Sequence, residues 1–166
     1  MNTFALRESC SLLLLFALSS CNGPETDADS PVPMAPAITE RRGLEPGRRD
    51  PDAPEEFTET ASGLKYRILR RSSGPRPTAF DTVTCHYRGW LDNGMEFDSS
   101  YKRREPASFA LNRVVAGWTE GLQLVGEGGM IELEVPSHLG YGPEGQPPDI
   151  PGGATLHFLV ELIEIE

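Results

Sequence analysis

The sequence contains little cysteine, histidine or positive charge, and each shortage argues against a class of function. Its 166 residues include three Cys and three His, and 15 Lys and Arg stand against 25 Asp and Glu. The net charge of −10 would be repelled by a phosphate backbone, so the composition argues against a nucleic-acid partner. The three histidines, His86, His138 and His157, lack the spacing of metal ligands, and we therefore expect no metal site and no cofactor.

A long hydrophobic run is also missing. Residues 11–18 form an apolar stretch that is far shorter than the ~20 residues that a membrane-spanning helix needs. Its position at the extreme N-terminus, after Arg7, is typical of the apolar region of a secretory signal. A buried core helix is the alternative, but the polar, Pro-rich stretch that follows offers it nothing to pack on. The pattern predicts a signal peptide over residues 1–20.

The signal segment ends in the letters LSSC, which resemble the bacterial lipobox, a Leu and two small residues before a Cys. The resemblance implies that Cys21 is lipidated and anchors the protein in the cell envelope through several acyl chains. Ordinary cleavage, with a soluble product, is the alternative. Asn22 is not the Asp that signals inner-membrane retention in some bacteria, so we expect the outer membrane, with the domain facing the periplasm or the cell surface. Only Cys85 then remains, which excludes an intramolecular disulfide, and we expect it to be a small buried residue.

Residues 21–56 lack apolar periodicity and are dominated by Pro, Asp, Glu, Arg and Gly. Such a composition buries too little surface to offset the entropy of ordering the chain, so we predict a disordered, Pro-rich linker. Repeated Pro favours a semi-stiff tether that lifts the following domain off the membrane. A ligand for a Pro-recognising domain is the alternative interpretation.

From residue 57 onward, alternating apolar residues predict a folded domain built mainly from strands. Glu132 and Glu134 alternate with apolar residues, so their strand is expected to have one face in water. Phe80 and Phe109 are expected to lie in the core. The strands are predicted over residues 64–69, 82–90, 95–98, 108–111, 131–135 and 154–165, with a turn at 92–94.

One helix is predicted, over residues 117–125, where Trp118, Leu122 and Val125 form a single apolar stripe. The glycines that follow it end the helix. Residues 137–153 form a Gly- and Pro-rich loop, and loops of this length inside a compact domain are usually functional. The predicted fold class is α+β, an antiparallel sheet wrapped over one short helix.

Four motifs in this domain together resemble one known family. They are HYRGWLDNGMEFDSSY, VVAGWTEGLQLV, GYG and IPGGATLHFLVEL, and the resemblance runs from about Thr60 to Glu166. The domain resembles an FKBP-type peptidyl-prolyl cis/trans isomerase, in the form of a bacterial lipoprotein. The resemblance implies an antiparallel half-barrel sheet around one short α-helix, with the isomerase domain over residues 57–166. The opening SGLKY resembles the extracytoplasmic branch of the family, whose helical dimerisation region has no counterpart in the linker, so we expect a monomer.

The resemblance also implies the residues of an aromatic pocket. Three would be catalytic: the Trp118 indole as the floor, the Tyr141 hydroxyl as a hydrogen-bond partner of a substrate carbonyl, and Asp98 at the pocket edge. Asp98 would either interact with the rotating carbonyl or hold Tyr87, and the sequence leaves both roles open. The Ile150 backbone N–H would donate to a substrate carbonyl. The implied substrate-binding residues are Tyr87, Phe97, Val114, Val115, Ile150 and Phe158.

Three positions depart from the best-known family pattern. Ala107 stands where a Phe at the pocket edge is common, Gln146 replaces a frequent His, and Val115 replaces the usual Ile of a Val-Ile pair. We expect Ala107 and Gln146 at the pocket rim. These departures are compatible with activity and leave substrate preference and macrolide affinity open.

The function implied is isomerisation of X-Pro bonds in folding envelope proteins, by stabilising a twisted amide in the aromatic pocket. The expected partners are X-Pro segments of unfolded or nascent envelope proteins, with macrolides as inhibitors and the membrane contacted through the lipid anchor. The alternative is a non-catalytic FKBP-fold chaperone or protein-binding module. Ala107, in place of the rim Phe, leaves room for that alternative.

Overall fold

The structure, a computed structural model, describes residues 45–166 of the chain. The predicted signal peptide, the predicted lipidation site Cys21 and residues 21–44 of the predicted linker lie outside the described residues. Within residues 45–166, no helix is both long and apolar enough to cross a bilayer.

Within the described residues, seven antiparallel strands form one sheet, and the two longest strands lie at its centre. The order across the sheet is β1-β2-β6-β7-β3-β4, and β5 pairs with the first half of β3 beside β4. This antiparallel sheet with few helices confirms the predicted α+β class. The strands are β1 (Thr58–Glu59), β2 (Lys65–Arg70), β3 (Thr82–Leu91), β4 (Glu96–Ser99), β5 (Ala107–Ala110), β6 (Met130–Val135) and β7 (Leu156–Ile165).

The strands form where the sequence alternates because successive side chains point to opposite faces of a sheet. Along β3, every second residue from Val83 to Leu91 is buried, as predicted. Cys85 is fully buried among them, and burial raises the pKa of its thiol to about 12, so it is an inert apolar residue as expected. We call the face of the sheet that carries these buried side chains the inner face. Together with the helix, the side chains of this face form the main hydrophobic core.

The helix α2 (Ala116–Leu122) lies against β6 on the inner face. It packs closely because glycines face the strand: a Cβ at Gly121 would lie only 2.7 Å from Leu133 Cδ2. The helix ends at Leu122, three residues before the predicted end. Val125 is still buried in the core, but it lies in the turn that follows the helix. A second, single-turn helix, α1 (Ser100–Arg103), follows β4 and had not been predicted.

The outer face of the sheet is less wet than the sequence predicted. Glu132 is only 8% exposed, and its carboxylate pairs with Arg67 at 2.8 Å. The expectation of a solvated face on this strand is therefore wrong at Glu132. The reason is a second apolar cluster on the outer face, formed by Leu69, Met130 and Leu159 with Ala53 and Trp90 packed against it.

Residues 45–56, termed here the strap, contact this outer face. The Gly47 N–H donates to Glu161 Oε1 at 2.7 Å, and the Asp50 N–H donates to the Leu69 carbonyl at 2.7 Å. Ala53 packs on the second cluster. The prediction of a disordered linker up to residue 56 therefore differs from the structure over 45–56, where backbone donors and apolar surface both find partners on the sheet.

Phe80 is 83% exposed, so the prediction that it belongs to the core is wrong. It lies in the turn before β3, where the Thr78 N–H donates to Asp81 Oδ2 at 2.7 Å. This turn sets the ring outward, into solvent.

Candidate active site

A cavity of about 460 Å³ opens on the inner face of the sheet, beside α2. All the predicted site residues except Ile150 line it. They come from β3, β4, β7, α2 and the segments before α2 and β7, so the cavity requires the complete fold. Its lining is Tyr87, Phe97, Asp98, Phe109, Arg113, Val114, Val115, Trp118, Tyr141 and Phe158.

The Trp118 indole is the centre of the aromatic wall. Its ring centroid lies 5.3 Å from those of Tyr87, Phe109 and Phe158, each edge-to-face at 79–85°. This geometry is favoured because the positive edge of one ring meets the negative face of another. Trp118 Nε1 is buried and has no hydrogen-bond partner among residues 45–166. The indole is thus held by packing contacts and not by a hydrogen bond, and it lines the cavity.

A glycine in β3 makes room for two of these rings. A Cβ at Gly89 would lie 2.6 Å from Phe97 Cζ and 2.9 Å from Phe158 Cε1. Real Cβ atoms do not approach other atoms so closely, so any larger residue would displace the rings. Phe97 and Phe158 pack edge-to-face at 5.6 Å over this gap.

One polar cluster stands at the cavity edge. The Tyr87 hydroxyl donates to Asp98 Oδ2, and the Arg103 guanidinium donates to Asp98 Oδ1. Arg103 also donates to the Tyr87 hydroxyl oxygen at 2.9 Å, and the Ser99 N–H donates to Asp98 Oδ1 at 2.8 Å. Of the two roles left open for Asp98, the contact with Tyr87 is therefore present, and contact with a substrate carbonyl remains a prediction.

The electrostatics of this cluster fix its protonation. Burial alone would raise the pKa of Asp98, but the hydrogen bonds from Tyr87 and Arg103 outweigh it, and the pKa lies below its usual value. Burial, together with the hydrogen bond to Asp98, raises the pKa of Tyr87 to about 12. At neutral pH the site therefore presents an ionised Asp98 and a protonated Tyr87.

The long loop contributes a second, smaller cavity of about 270 Å³ that shares Phe97, Asp98 and Tyr141 with the first. Gln146 and Ile150 line it, so Gln146 lies beside the predicted site. The Ile150 N–H donates to the Gln146 carbonyl at 3.0 Å. The prediction that this N–H is open to a substrate carbonyl is not met, because the loop closes on itself through this bridge.

Two polar residues of the site were missed from the sequence, and one aromatic residue has a second role. Phe109 packs against the core, as expected, and also lines the cavity. Arg113 lies at the cavity, just before Val114. Arg103 reaches the site from α1, five residues after Asp98. Ala107 lies in β5 and packs against the core without lining the cavity, so it is not the rim position that we expected.

Comparison with known proteins gives the same family throughout. The family profile described as FKBP-type peptidyl-prolyl cis-trans isomerase matches residues 74–163. The chain is 41% identical over 143 residues to the FKBP-type peptidyl-prolyl cis-trans isomerase FkpA of Escherichia coli, covering 86% of this chain and 52% of that protein. It is 49% identical over 107 residues to FkpA of Buchnera aphidicola, covering 64% of this chain and 42% of that protein. The chain thus spans about half the length of the curated relatives it matches.

Solved structures agree with the sequence comparison. The crystal structure of FkpA from Escherichia coli matches with a TM-score of 0.65 and 42% identity, covering 68% of this chain and 53% of that one. A peptidyl-prolyl cis-trans isomerase from Pseudomonas syringae matches with a TM-score of 0.63 and 34% identity, covering 68% of this chain and 83% of that one.

Proposed function

Because the chain belongs to the family of FKBP-type peptidyl-prolyl cis-trans isomerases, we propose that it accelerates rotation about X-Pro bonds in unfolded protein segments. The observation that carries this proposal is the aromatic cavity, with Trp118 at its centre and one ionised carboxylate, Asp98, at its edge. It is concave and largely apolar, with a few placed polar groups, as binding sites for small ligand groups are.

The chemistry suits such a cavity because no covalent bond is broken. The amide must rotate through a twisted state against a barrier of ~18–20 kcal/mol. Twisting removes resonance, so the carbonyl loses charge separation and the amide becomes less polar. A water-poor aromatic surface therefore favours the twisted amide over the planar one, which lowers the barrier.

The roles follow from position in the cavity. Trp118, Phe97, Val115 and Phe158 would hold the proline ring, with Val114 beside them. The Tyr141 hydroxyl, at the junction of the two cavities, would donate to a substrate carbonyl. The Ile150 N–H would take a similar part only if its bond to the Gln146 carbonyl opened. Tyr141 would therefore be the first donor that a substrate meets.

The cellular setting is proposed from the sequence before residue 45. Residues 1–20 would be a signal peptide, and Cys21 would carry the lipid that anchors the protein in the cell envelope, in the outer membrane. The substrates would then be X-Pro segments of unfolded envelope proteins, macrolides would act as competitive inhibitors, and the protein would act as a monomer.

The activity is tested with the chain from residue 22 onward and a Leu-Pro or Phe-Pro peptide in a protease-coupled assay. We expect acceleration of the cis-to-trans phase that Asp98→Val and Trp118→Leu reduce and a macrolide suppresses. Glu134→Gln is the control, since Glu134 pairs with Lys65 on the outer face. No acceleration from a folded protein, across several residues before Pro, would favour the non-catalytic chaperone or binding module.

The anchor has its own test. Expressed in a bacterium with its native N-terminus, the protein should appear in the membrane fraction with an acylated N-terminal Cys21 by mass spectrometry. Cys21→Ala should abolish the modification and release the protein. A mature chain that begins elsewhere and carries no lipid would contradict the proposal.

A further inference from the structure

A carboxylate on the outer face of the sheet joins three separate segments of the chain. Glu161, in β7, is largely buried and accepts hydrogen bonds from the Tyr101 hydroxyl at 2.5 Å, from Arg70 Nη2 at 3.0 Å and from the Gly47 N–H at 2.7 Å. Hydrogen bonds to a charged acceptor are stronger than neutral ones. Glu161 is thus a fixed point for the strap, for β2 and for α1.

The single turn α1 depends on such fixed points. Isolated helices of this length are unstable, so tertiary contacts must hold α1 in place. Its Ser100 hydroxyl accepts the Tyr87 N–H at 2.8 Å, and its Tyr101 ring stacks on His86 with centroids 5.0 Å apart. The Tyr101–Glu161 hydrogen bond is the contact that links α1 to β7.

Arg103 is the residue of α1 that reaches the candidate active site. The guanidinium contacts Asp98 and Tyr87 at the cavity edge, and its Cζ lies 5.6 Å from the centroid of the Tyr87 ring. Arg103 is about half exposed, so little else confines it, and its reach depends on where α1 is held. A shift of α1 would move Arg103 away from both partners at once.

We propose that Glu161, acting through Tyr101, is a positioning residue of the isomerase site: it holds α1 so that Arg103 stays on Asp98 and Tyr87. The inference rests on the proposed function for its effect on turnover, but the positioning itself is a statement about Arg103. Glu161 touches no substrate, and it lies on the face of the sheet opposite the cavity.

The test is Tyr101→Phe in the full chain, which removes the hydroxyl and keeps the ring on His86. We expect kcat/KM for an X-Pro peptide to fall about three- to tenfold, which is the scale of one typical hydrogen bond. Glu161→Gln should act in the same direction. Glu134→Gln, a matched change on the neighbouring strand with no contact to α1, should leave kcat/KM unchanged.

A double-mutant cycle separates positioning from general structural damage. If Tyr101 acts through Arg103, Tyr101→Phe should cause no further loss in an Arg103→Met background. An equal loss in both backgrounds would overturn the proposal, because the effect would then bypass Arg103.

The side-chain Nε–Hε NMR resonance of Arg103 gives a readout that does not need activity. In the wild-type chain we expect it to be dispersed, and in Tyr101→Phe to move toward the position of a free arginine. An unchanged resonance would overturn the positioning proposal. An inactive wild-type protein in which the resonance does shift would overturn the proposed function and leave the positioning standing.

Discussion

The domain contains two cavities of nearly equal volume, about 460 Å³ and about 450 Å³, that differ in where their charges stand. In the aromatic cavity of the candidate site, rings form the walls and Asp98 stands at the edge. The second, termed here the arginine cavity, lies between the strap, β2 and the turn after α2, and its lining includes Arg67, Arg71 and Arg76. Arg67 and Arg71 already pair with Glu132 and Asp52.

The comparison shows that the volume of a cavity does not by itself identify a binding site. A group that becomes less polar as it reacts gains from the aromatic walls, which exclude water and carry no charge of their own. In the arginine cavity, the charges of Arg67 and Arg71 are already paired with carboxylates of the protein. We therefore expect substitutions around the two cavities to affect different properties.

The largest expected effect is a difference in the free energy of unfolding between substitutions in the aromatic cavity and in the arginine cavity. Trp118→Ala should lower the free energy of unfolding by about 3–5 kcal/mol, because it removes a buried ring that contacts three others. Arg76→Ala, in the arginine cavity, should change it by less than about 0.5 kcal/mol. Urea unfolding followed by far-ultraviolet circular dichroism measures both. If the two variants lost equal amounts of unfolding free energy, the two cavities would not differ in their contribution to stability.

Two glycines provide a matched pair for catalysis. A Cβ at Gly89 would lie 2.6 Å from the Phe97 ring, and one at Gly126, in the arginine cavity, would lie 2.6 Å from the Gly74 carbonyl oxygen. Both Ala substitutions should cost about 1–3 kcal/mol of stability through overpacking. Only Gly89→Ala displaces the aromatic walls, so only it should lower kcat/KM, by about tenfold. A similar loss in Gly126→Ala would indicate that strain elsewhere in the domain reaches the site.

The charge at the edge of the aromatic cavity predicts a pH dependence. Because the native pKa of Asp98 is lowered, its contribution to stability is complete above the unfolded value of about 3.9 and is lost as the pH falls through the native value. We expect kcat/KM to stay level from about pH 8 to 5 and to fall only below about pH 4. An NMR exchange assay avoids the coupling protease in acid. Asp98→Asn should have lower activity without this acid limb, whereas Asp52→Asn should keep the limb.

The smallest effect is expected at the exposed pair beside the arginine cavity. Arg71 and Asp52 are 62% and 69% exposed, and such pairs contribute little because water screens them. Asp52→Ala should leave the midpoint of urea unfolding almost unchanged. A clear shift of the midpoint to lower urea would show that this pair is essential for holding the strap.

The sequence predicted the sheet and the aromatic residues of the site because both follow from local patterns. The alternation around Cys85 and Tyr87 identifies the inner face of β3, and the motifs identify Trp118, Phe97 and Phe158 as a set. The buried state of Glu132 was beyond this reasoning, since it depends on Arg67, which is 65 positions away and opposite on β2.

The polar part of the site was less predictable for the same reason. Arg103 lies in a single turn without helical periodicity, and its contact with Asp98 exists only because α1 is held against the sheet. The bridge between Gln146 and Ile150 depends on loop closure, which composition does not specify. The strap was misjudged because its Pro-rich composition resembles that of a linker, whereas its partners, Glu161 and Leu69, lie in the strands β7 and β2.

The strap lies on the outer face of the sheet, whereas the aromatic cavity opens on the inner face. The thickness of the sheet therefore separates residues 45–56 from the rings of Trp118 and Phe158. A chemical label or a proteolytic cut within the strap would change one surface of the domain without entering the space that these rings enclose.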